Sequence, residues 1–219
     1  MTRSAPPHSA SFTGMLEALL AVDRVRAVRI VKDSSTPGSP VACVETLIVP
    51  ALEEIGRRWE DGTVALSQVY MSGRICEEIV DTMLPPGDPK RINQPQMAIA
   101  VFEDHHTLGK RIVVSVLRAG GYELMDYGHG INAEDLVKQV TQDRIQVLLI
   151  STLMLPAAVR AKEAIAQIKK DLPTTKVIVG GAPFNFDPSL WQEVGADAMG
   201  RTASETLEIV NRFAREMGS

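Results

Sequence analysis

Asp104-His105-His106-Thr107-Leu108-Gly109 follows directly on the apolar run Met97-Ala98-Ile99-Ala100-Val101-Phe102, and the reading of this junction decides the fold. Six apolar residues in succession read as a strand buried on both faces, a property of parallel sheets. Gly109 to Leu117 then has helical spacing, and Gly120-Gly121 stops it, so the unit is strand, loop, helix. In open α/β sheets, ligands bind at the loops beyond the carboxyl ends of the strands. A carboxylate two residues before an imidazole suits metal ligation in such a loop. One ring nitrogen takes the metal, while the carboxylate accepts the other N–H and fixes the tautomer.

Working outward, short β runs go on alternating with helical segments: 122–127 then 133–142, 147–151 then 156–171, 176–179 then 189–194, 198–200 then 204–217. Five strand-helix repeats predict a doubly wound, five-stranded parallel sheet of the flavodoxin or Rossmann-like type over residues 96–219. Upstream, the proline-rich, charged stretch 85–95 reads as a linker. Before it, helical periodicity covers 11–22, 24–32, 41–59 and 67–83, with breaks at 34–40 and at Asp61-Gly62. Short connections between four helices predict an antiparallel helical bundle over 11–84. Residues 1–10, rich in Pro and Ser, read as a disordered tail.

Composition excludes several classes of function. A chain of 219 residues with 45% hydrophobic and 23% charged residues can bury a proper core. Its formal charge of -4, with no Lys/Arg cluster interleaved with aromatics, argues against nucleic acid as a partner. No run approaches the ~20 apolar residues of a membrane span, and residues 1–7 lack an apolar signal core, so a cytoplasmic protein with no membrane partner is expected. Cys43 and Cys76 both fall in helical segments, which suits reduced, buried, inert thiols.

The loops after the third and fourth expected strands carry Ser151-Thr152-Leu153 and Gly180-Gly181. The pattern Asp104-x-His106-x-x-Gly109, then 41 residues, Ser151-x-Leu153, then 26 residues, Gly180-Gly181, resembles the fingerprint of the cobalamin-binding domain of corrinoid methyltransferases and cobalamin-dependent mutases. The likeness extends upstream. Pro50-Ala51-Leu52-Glu53-Glu54-Ile55-Gly56, and Trp59-Glu60-Asp61-Gly62 followed by Leu66-Ser67-Gln68, look like the helical cap of methionine synthase and of the small corrinoid proteins of methanogens and acetogens. The resemblance covers essentially the whole chain after the tail.

That resemblance implies cobalamin as cofactor, with methylcobalamin as the loaded form, bound base-off and His-on. His106 would be the metal ligand, replacing the cofactor's own benzimidazole below cobalt, and Asp104 would hold the other ring nitrogen. Co(III)-methyl favours a lower ligand and four-coordinate Co(I) none, so Asp104 and His106, the catalytic pair, would act as a valve on the cobalt oxidation state. Thr107 would join the cofactor site and Gly109 would let the following helix approach the corrin. Ser151 and Leu153 would line a channel for the displaced nucleotide tail, with Gly180 and Gly181 making room. Trp59 and Leu66 would form an apolar lid over the upper face, with Gln68 beside them. In methionine synthase a serine extends the Asp–His relay; the matching stretch here offers Ala157. On the step from Asp104 through His106 to Gly109, His105 reads as a loop residue facing solvent or a partner, and His129 as a contact to the corrin rim.

A methyl carrier is the function this implies. It would receive a methyl group from a substrate-specific methyltransferase, pass it to a second methyltransferase with tetrahydrofolate or a thiol as acceptor, and depend on a reductive activase. A cobalamin-dependent sensor is the alternative. Sensors of that type carry a DNA-binding domain ahead of the bundle and a Glu-His pair ten residues past the tryptophan, where this chain has Val69 and Tyr70 and only ten residues precede the bundle. A mutase would need a barrel domain. A non-corrinoid flavodoxin-like binder leaves the stretch from Trp59 to Gln68 unexplained.

Overall fold

The computed structural model describes residues 9–34, 43–83 and 94–217. The linker expected over 85–95 and the break over 34–40 fall almost wholly outside those residues, as does the tail before residue 9. The chain divides into two compact units, Met1–Pro85 and Pro86–Ser219.

Among its described residues the first unit contains four helices, as the periodicity predicts. Helix α1 (Ala10–Leu20) starts inside the stretch read as tail, because Ser9 caps it: its Oγ accepts the Phe12 N–H at 3.2 Å. Helix α2 (Arg24–Ser34) follows. The third helix is wound as a π-helix over Val44–Ile48 before passing into α3 (Val49–Glu60). Pro50, in the first turn of α3, has no N–H to donate and its ring crowds the carbonyl four residues back; the wider winding before it accommodates both. Helix α4 (Leu66–Met83) completes the unit. Met15, Leu19, Val31, Ile48, Ile55 and Val80 are among its buried residues. Cys76 lies among them too, and burial, with the Glu77 charge beside it, pushes its thiol up to about 12, which makes it inert. Trp59 is 46% exposed and Leu66 64%, so neither belongs to this core.

The second unit is a five-stranded parallel sheet with the order β2-β1-β3-β4-β5, the flavodoxin arrangement. Its elements run β1 (Met97–Phe102), α5 (Leu108–Ala119), β2 (Met125–Ile131), α6 (Ala133–Gln142), β3 (Val147–Ser151), α7 (Leu155–Asp171), β4 (Lys176–Gly180), α8 (Ala182–Phe186), α9 (Leu190–Glu193), β5 (Ala198–Gly200) and α10 (Ala203–Met217). Alternate residues of the inner strands feed opposite cores. Ala98, Ala100, Leu148, Ile150, Val177 and Val179 pack with Leu136, Ala161, Ile165 and Phe184 of α6, α7 and α8. Met97, Ile99, Leu149 and Ile178 pack with Leu117, Val210 and Phe213 of α5 and α10.

Two expectations need correction. The second strand spans Met125–Ile131, not 122–127. Tyr122, expected to open that strand, is fully buried in the connection and donates its hydroxyl to Asn211 Oδ1 at 2.9 Å. The true strand lies at the sheet edge, where one side needs no partner, so its sequence is polar and glycine-rich. His129 therefore stands within β2 rather than after it. The short helix α8 was also missed, although Pro183 near its start is a helix-initiation signal.

Strand register gathers the distant sequence motifs. Val101 pairs with Ser151, Ser151 with Gly180 and Gly180 with Gly200, while Val101 pairs on its other side with His129. One row at the carboxyl edge of the sheet thus contains residues from all five strands, and the Asp104 loop leaves from its middle.

Candidate functional site

Asp104 is the anchor of this edge. Its side chain is 1% exposed and accepts five hydrogen bonds. Oδ1 takes the backbone N–H of His105 at 2.7 Å and of His106 at 3.1 Å, and faces His106 Nδ1 at 2.5 Å. Oδ2 takes the backbone N–H of Leu153 at 2.7 Å and of Met154 at 2.9 Å, where β3 runs into α7. Burial pushes the carboxyl up, but the hydrogen bonds from the His106 ring and from the backbone of Leu153, His106 and Met154 outweigh it and bring the group down to about 2. A carboxyl lowered on folding lends stability that is complete above its ordinary value of 3.8 and lost as the pH falls through about 2.

With Nδ1 committed to Asp104, the His106 ring is 57% exposed, and its Nε2 makes no hydrogen bond among the described residues. The ring presents one oriented lone pair outward. Among the described residues no three His, Cys, Asp or Glu side chains gather as a metal cage. A metal held through His106 therefore has to bring most of its ligands with it.

The surroundings of the loop are small or half-open. Thr107 precedes the first turn of α5. At Gly109 the nearest atom to an added Cβ is Ser151 Oγ, 3.8 Å away, so nothing of the chain fills that space. Leu153 is 44% exposed. Gly180 and Gly181, by contrast, are required by the chain itself. A Cβ at Gly180 would press on the Gly200 carbonyl at 3.0 Å; one at Gly181, whose φ is +117°, would fall 1.8 Å from the Thr152 carbonyl. Thr152 is 1% exposed, and its hydroxyl is the buried side-chain oxygen left without a hydrogen-bond partner among the described residues. Thr152→Val should therefore raise the stability of the apo-protein by about 1 kcal/mol, read by urea denaturation; a loss of similar size would show that the hydroxyl has a partner.

His105 and His129 pair with each other, Nδ1 to Nδ1 at 3.1 Å with rings edge to face, so only His106 uses its ring on Asp104. Ala157 is buried on α7 and offers no hydroxyl to Asp104, whose Oδ2 is held by two backbone N–H groups. Lys110 was missed by sequence reasoning. It is 6% exposed, and its Nζ donates to Asp126 Oδ1 at 2.6 Å and to the Gly128 carbonyl at 3.1 Å, tying α5 to β2 beside the loop. A lysine directly after Gly109 on an otherwise apolar helix face was the available signal. In the first unit, Gln68 Oε1 accepts the Ala65 N–H at 3.0 Å and Nε2 donates to the Leu20 carbonyl at 2.9 Å, so its amide joins the start of α4 to the end of α1.

Comparison with known proteins places this edge in a family. Residues 97–211 match the model of the B12 binding domain, and residues 12–83 match a second B12 binding domain model. The chain is 28% identical to a corrinoid protein of Desulfitobacterium hafniense over 79% of its own length and 82% of that protein's. Its fold superposes on the monomethylamine corrinoid protein of Methanosarcina barkeri with a TM-score of 0.80, at 21% identity, covering 92% of this chain and 97% of that one. A chain of the methanol:cobalamin methyltransferase complex of the same organism matches with a TM-score of 0.52 at 19% identity, covering 95% and 81%. The likeness to corrinoid proteins read from Asp104, His106, Gly109, Ser151 and Gly180-Gly181 is thereby borne out. With the first model spanning more than half of its length, the chain belongs to the B12 binding domain family, and its cofactor is cobalamin.

Proposed function

We propose that this protein is a corrinoid methyl carrier that holds cobalamin base-off with His106 as the lower ligand of cobalt and works between methyltransferases in the cytoplasm. The observation that carries this reading is His106 itself, its Nδ1 fixed on Asp104 at 2.5 Å and its other nitrogen open at the carboxyl edge of the sheet. A single oriented imidazole suits cobalamin because the corrin ring brings four nitrogen ligands of its own, which the protein does not have to supply. When bound, cobalamin supplies a cobalt centre that accepts a methyl group and gives it up again.

The chain's own residues do the holding and tuning. Asp104 keeps His106 in the tautomer whose Nε2 lone pair faces outward, and its hydrogen bonds from Leu153 and Met154 keep the carboxylate charged against that ring. Proton exchange at this pair ends at Asp104, since both groups behind it are backbone donors. Thr107, Gly109, Ser151 and Leu153 are the residues proposed to meet the cofactor, with Gly180 and Gly181 making room for its nucleotide tail. Trp59 and Leu66, exposed on the helical unit, are proposed as the apolar cover that excludes water from the upper face, with Gln68 fixing the first turn that presents Leu66.

The described chain contains no second reactive constellation, so a donor methyltransferase, an acceptor methyltransferase and a reductive activase are proposed as partners. The names of the relatives support this: one is a monomethylamine corrinoid protein, and another is part of a methanol:cobalamin methyltransferase complex. The test is to reconstitute the protein with hydroxocobalamin, reduce it with titanium(III) citrate and treat it with iodomethane. Methyl transfer to a thiol or to tetrahydrofolate is then followed with and without a methyltransferase encoded beside its gene. Transfer should need that enzyme; equal rates without it would sink the carrier reading.

A further inference from the structure

The last residue before Asp104 is not an ordinary loop position. Glu103 has φ +44°, a left-handed backbone that non-glycine residues rarely adopt and that persists where neighbours over-determine it. Its N–H still donates to the Ile131 carbonyl at 3.0 Å, beside β2. The chain then turns away, and Asp104 reaches the opposite neighbour, the β3–α7 junction, where Leu153 and Met154 hold it. The Asp104 carbonyl meanwhile accepts the Gly130 N–H at 2.8 Å, on the β2 side. The left-handed turn therefore lets one short segment be gripped from both sides.

The Glu103 side chain makes one more contact across the same gap. Its Oε2 accepts a hydrogen bond from Arg160 Nε, an ion pair between the end of β1 and the second turn of α7. Glu103 is 24% exposed and Arg160 53%. The same α7 segment begins just after Met154, whose N–H grips Asp104. Two successive residues of the loop are thus tied to one element, Glu103 through its side chain to the helix body and Asp104 through its carboxylate to the helix start.

We propose that Glu103 and Arg160 are positioning residues for His106: their ion pair holds the left-handed turn that delivers Asp104 to Leu153 and Met154, and through Asp104 sets the orientation of the His106 ring. The inference rests on the reading of His106 as cobalt ligand only where cobalamin affinity is measured; in the apo-protein the Asp104–His106 hydrogen bond can be followed by itself.

The experiment uses the full chain with Arg160→Ala, Arg160→Lys, Glu103→Gln and Glu103→Gly. The first readout is the downfield proton resonance of His106 Nδ1–H in the apo-protein, assigned by its loss in His106→Ala. The second is the dissociation constant for hydroxocobalamin. Arg160→Ala and Glu103→Gln should broaden the resonance or move it upfield and weaken cobalamin by roughly threefold to fivefold, the range expected for a partly exposed ion pair. Arg160→Lys should recover most of both. Glu103→Gly, free to adopt the left-handed turn without help, should keep the resonance although the ion pair is gone. An unchanged resonance in Arg160→Ala would overturn the proposal, as would a Glu103→Gly variant as disturbed as Glu103→Gln. A shifted resonance with unaltered cobalamin affinity would retain the tether and overturn its link to the cofactor, and hence the ligand reading rather than the local geometry.

Discussion

Asp104→Asn is expected to destabilise the α/β unit by about 2–4 kcal/mol and to weaken cobalamin binding by ~10–100-fold. A carboxylate accepts at both oxygens, and here both are used by donors: His105, His106 and the His106 ring on Oδ1, Leu153 and Met154 on Oδ2. An asparagine has one acceptor and one donor end. If its amide nitrogen faces Leu153 and Met154, two N–H groups of the β3–α7 junction lose their acceptor and oppose a third donor. If it faces the other way, the His106 ring must change tautomer and two loop N–H groups are stranded. Each arrangement leaves buried donors unsatisfied, the costliest state of a hydrogen bond. Urea denaturation of the apo-protein and cobalamin titration measure the two effects separately. A stability within 0.5 kcal/mol of the parent would remove Asp104 as the pin of this edge, whatever its effect on the cofactor.

His106→Ala should abolish the nitrogen superhyperfine coupling in the electron paramagnetic resonance of the Co(II) cobalamin-loaded protein, while leaving the fold intact. The ring is mostly exposed, so its removal uncovers no core and should change stability by less than about 0.5 kcal/mol beyond the lost Asp104 contact. Cobalamin affinity should fall by at least the ~10–100-fold that loss of an outer partner costs at metal sites. His105→Ala is the control. Its ring meets His129 and not Asp104, so the coupling should survive. Coupling kept in His106→Ala and lost in His105→Ala would exchange the roles of the two histidines and empty the Asp104 contact of its proposed purpose.

Much of this architecture could be read along the chain. The Met97–Phe102 run, buried at every position, announces a central strand of a parallel sheet because only a strand covered on both faces can be apolar throughout. The same rule fails at β2. An edge strand carries Asp126, Gly128, His129 and Gly130, and no apolar pattern distinguishes it from a loop, so the expected strand begins three residues early, at Tyr122. The bundle was legible for the opposite reason, since each of its helices buries one stripe at helical spacing.

At the site, the residue types were legible and their partners were not. Asp104 two residues before His106 is a local relation that the chain states directly, and the short contact between them follows from that spacing. The far side of Asp104 could not be read, because backbone N–H groups have no residue identity. Any two residues at the start of α7 could have donated, and Leu153 and Met154 do so with main chain. At Gly180 and Gly181 the chain has a demand of its own besides room for a ligand: a Cβ there would meet the Gly200 and Thr152 carbonyls, a constraint created only when β3, β4 and β5 come into register. Sequence by itself determined the two-part organisation, the parallel sheet and the pairing of the His106 imidazole with its carboxylate, because periodicity, glycine placement and short spacings are local properties of the chain. Tertiary structure alone decided the tie of Glu103 to Arg160 and the double backbone grip on Asp104, because each joins groups some fifty residues apart whose meeting depends on strand order and register rather than on side-chain type, and the left-handed turn at Glu103 stands between those ties.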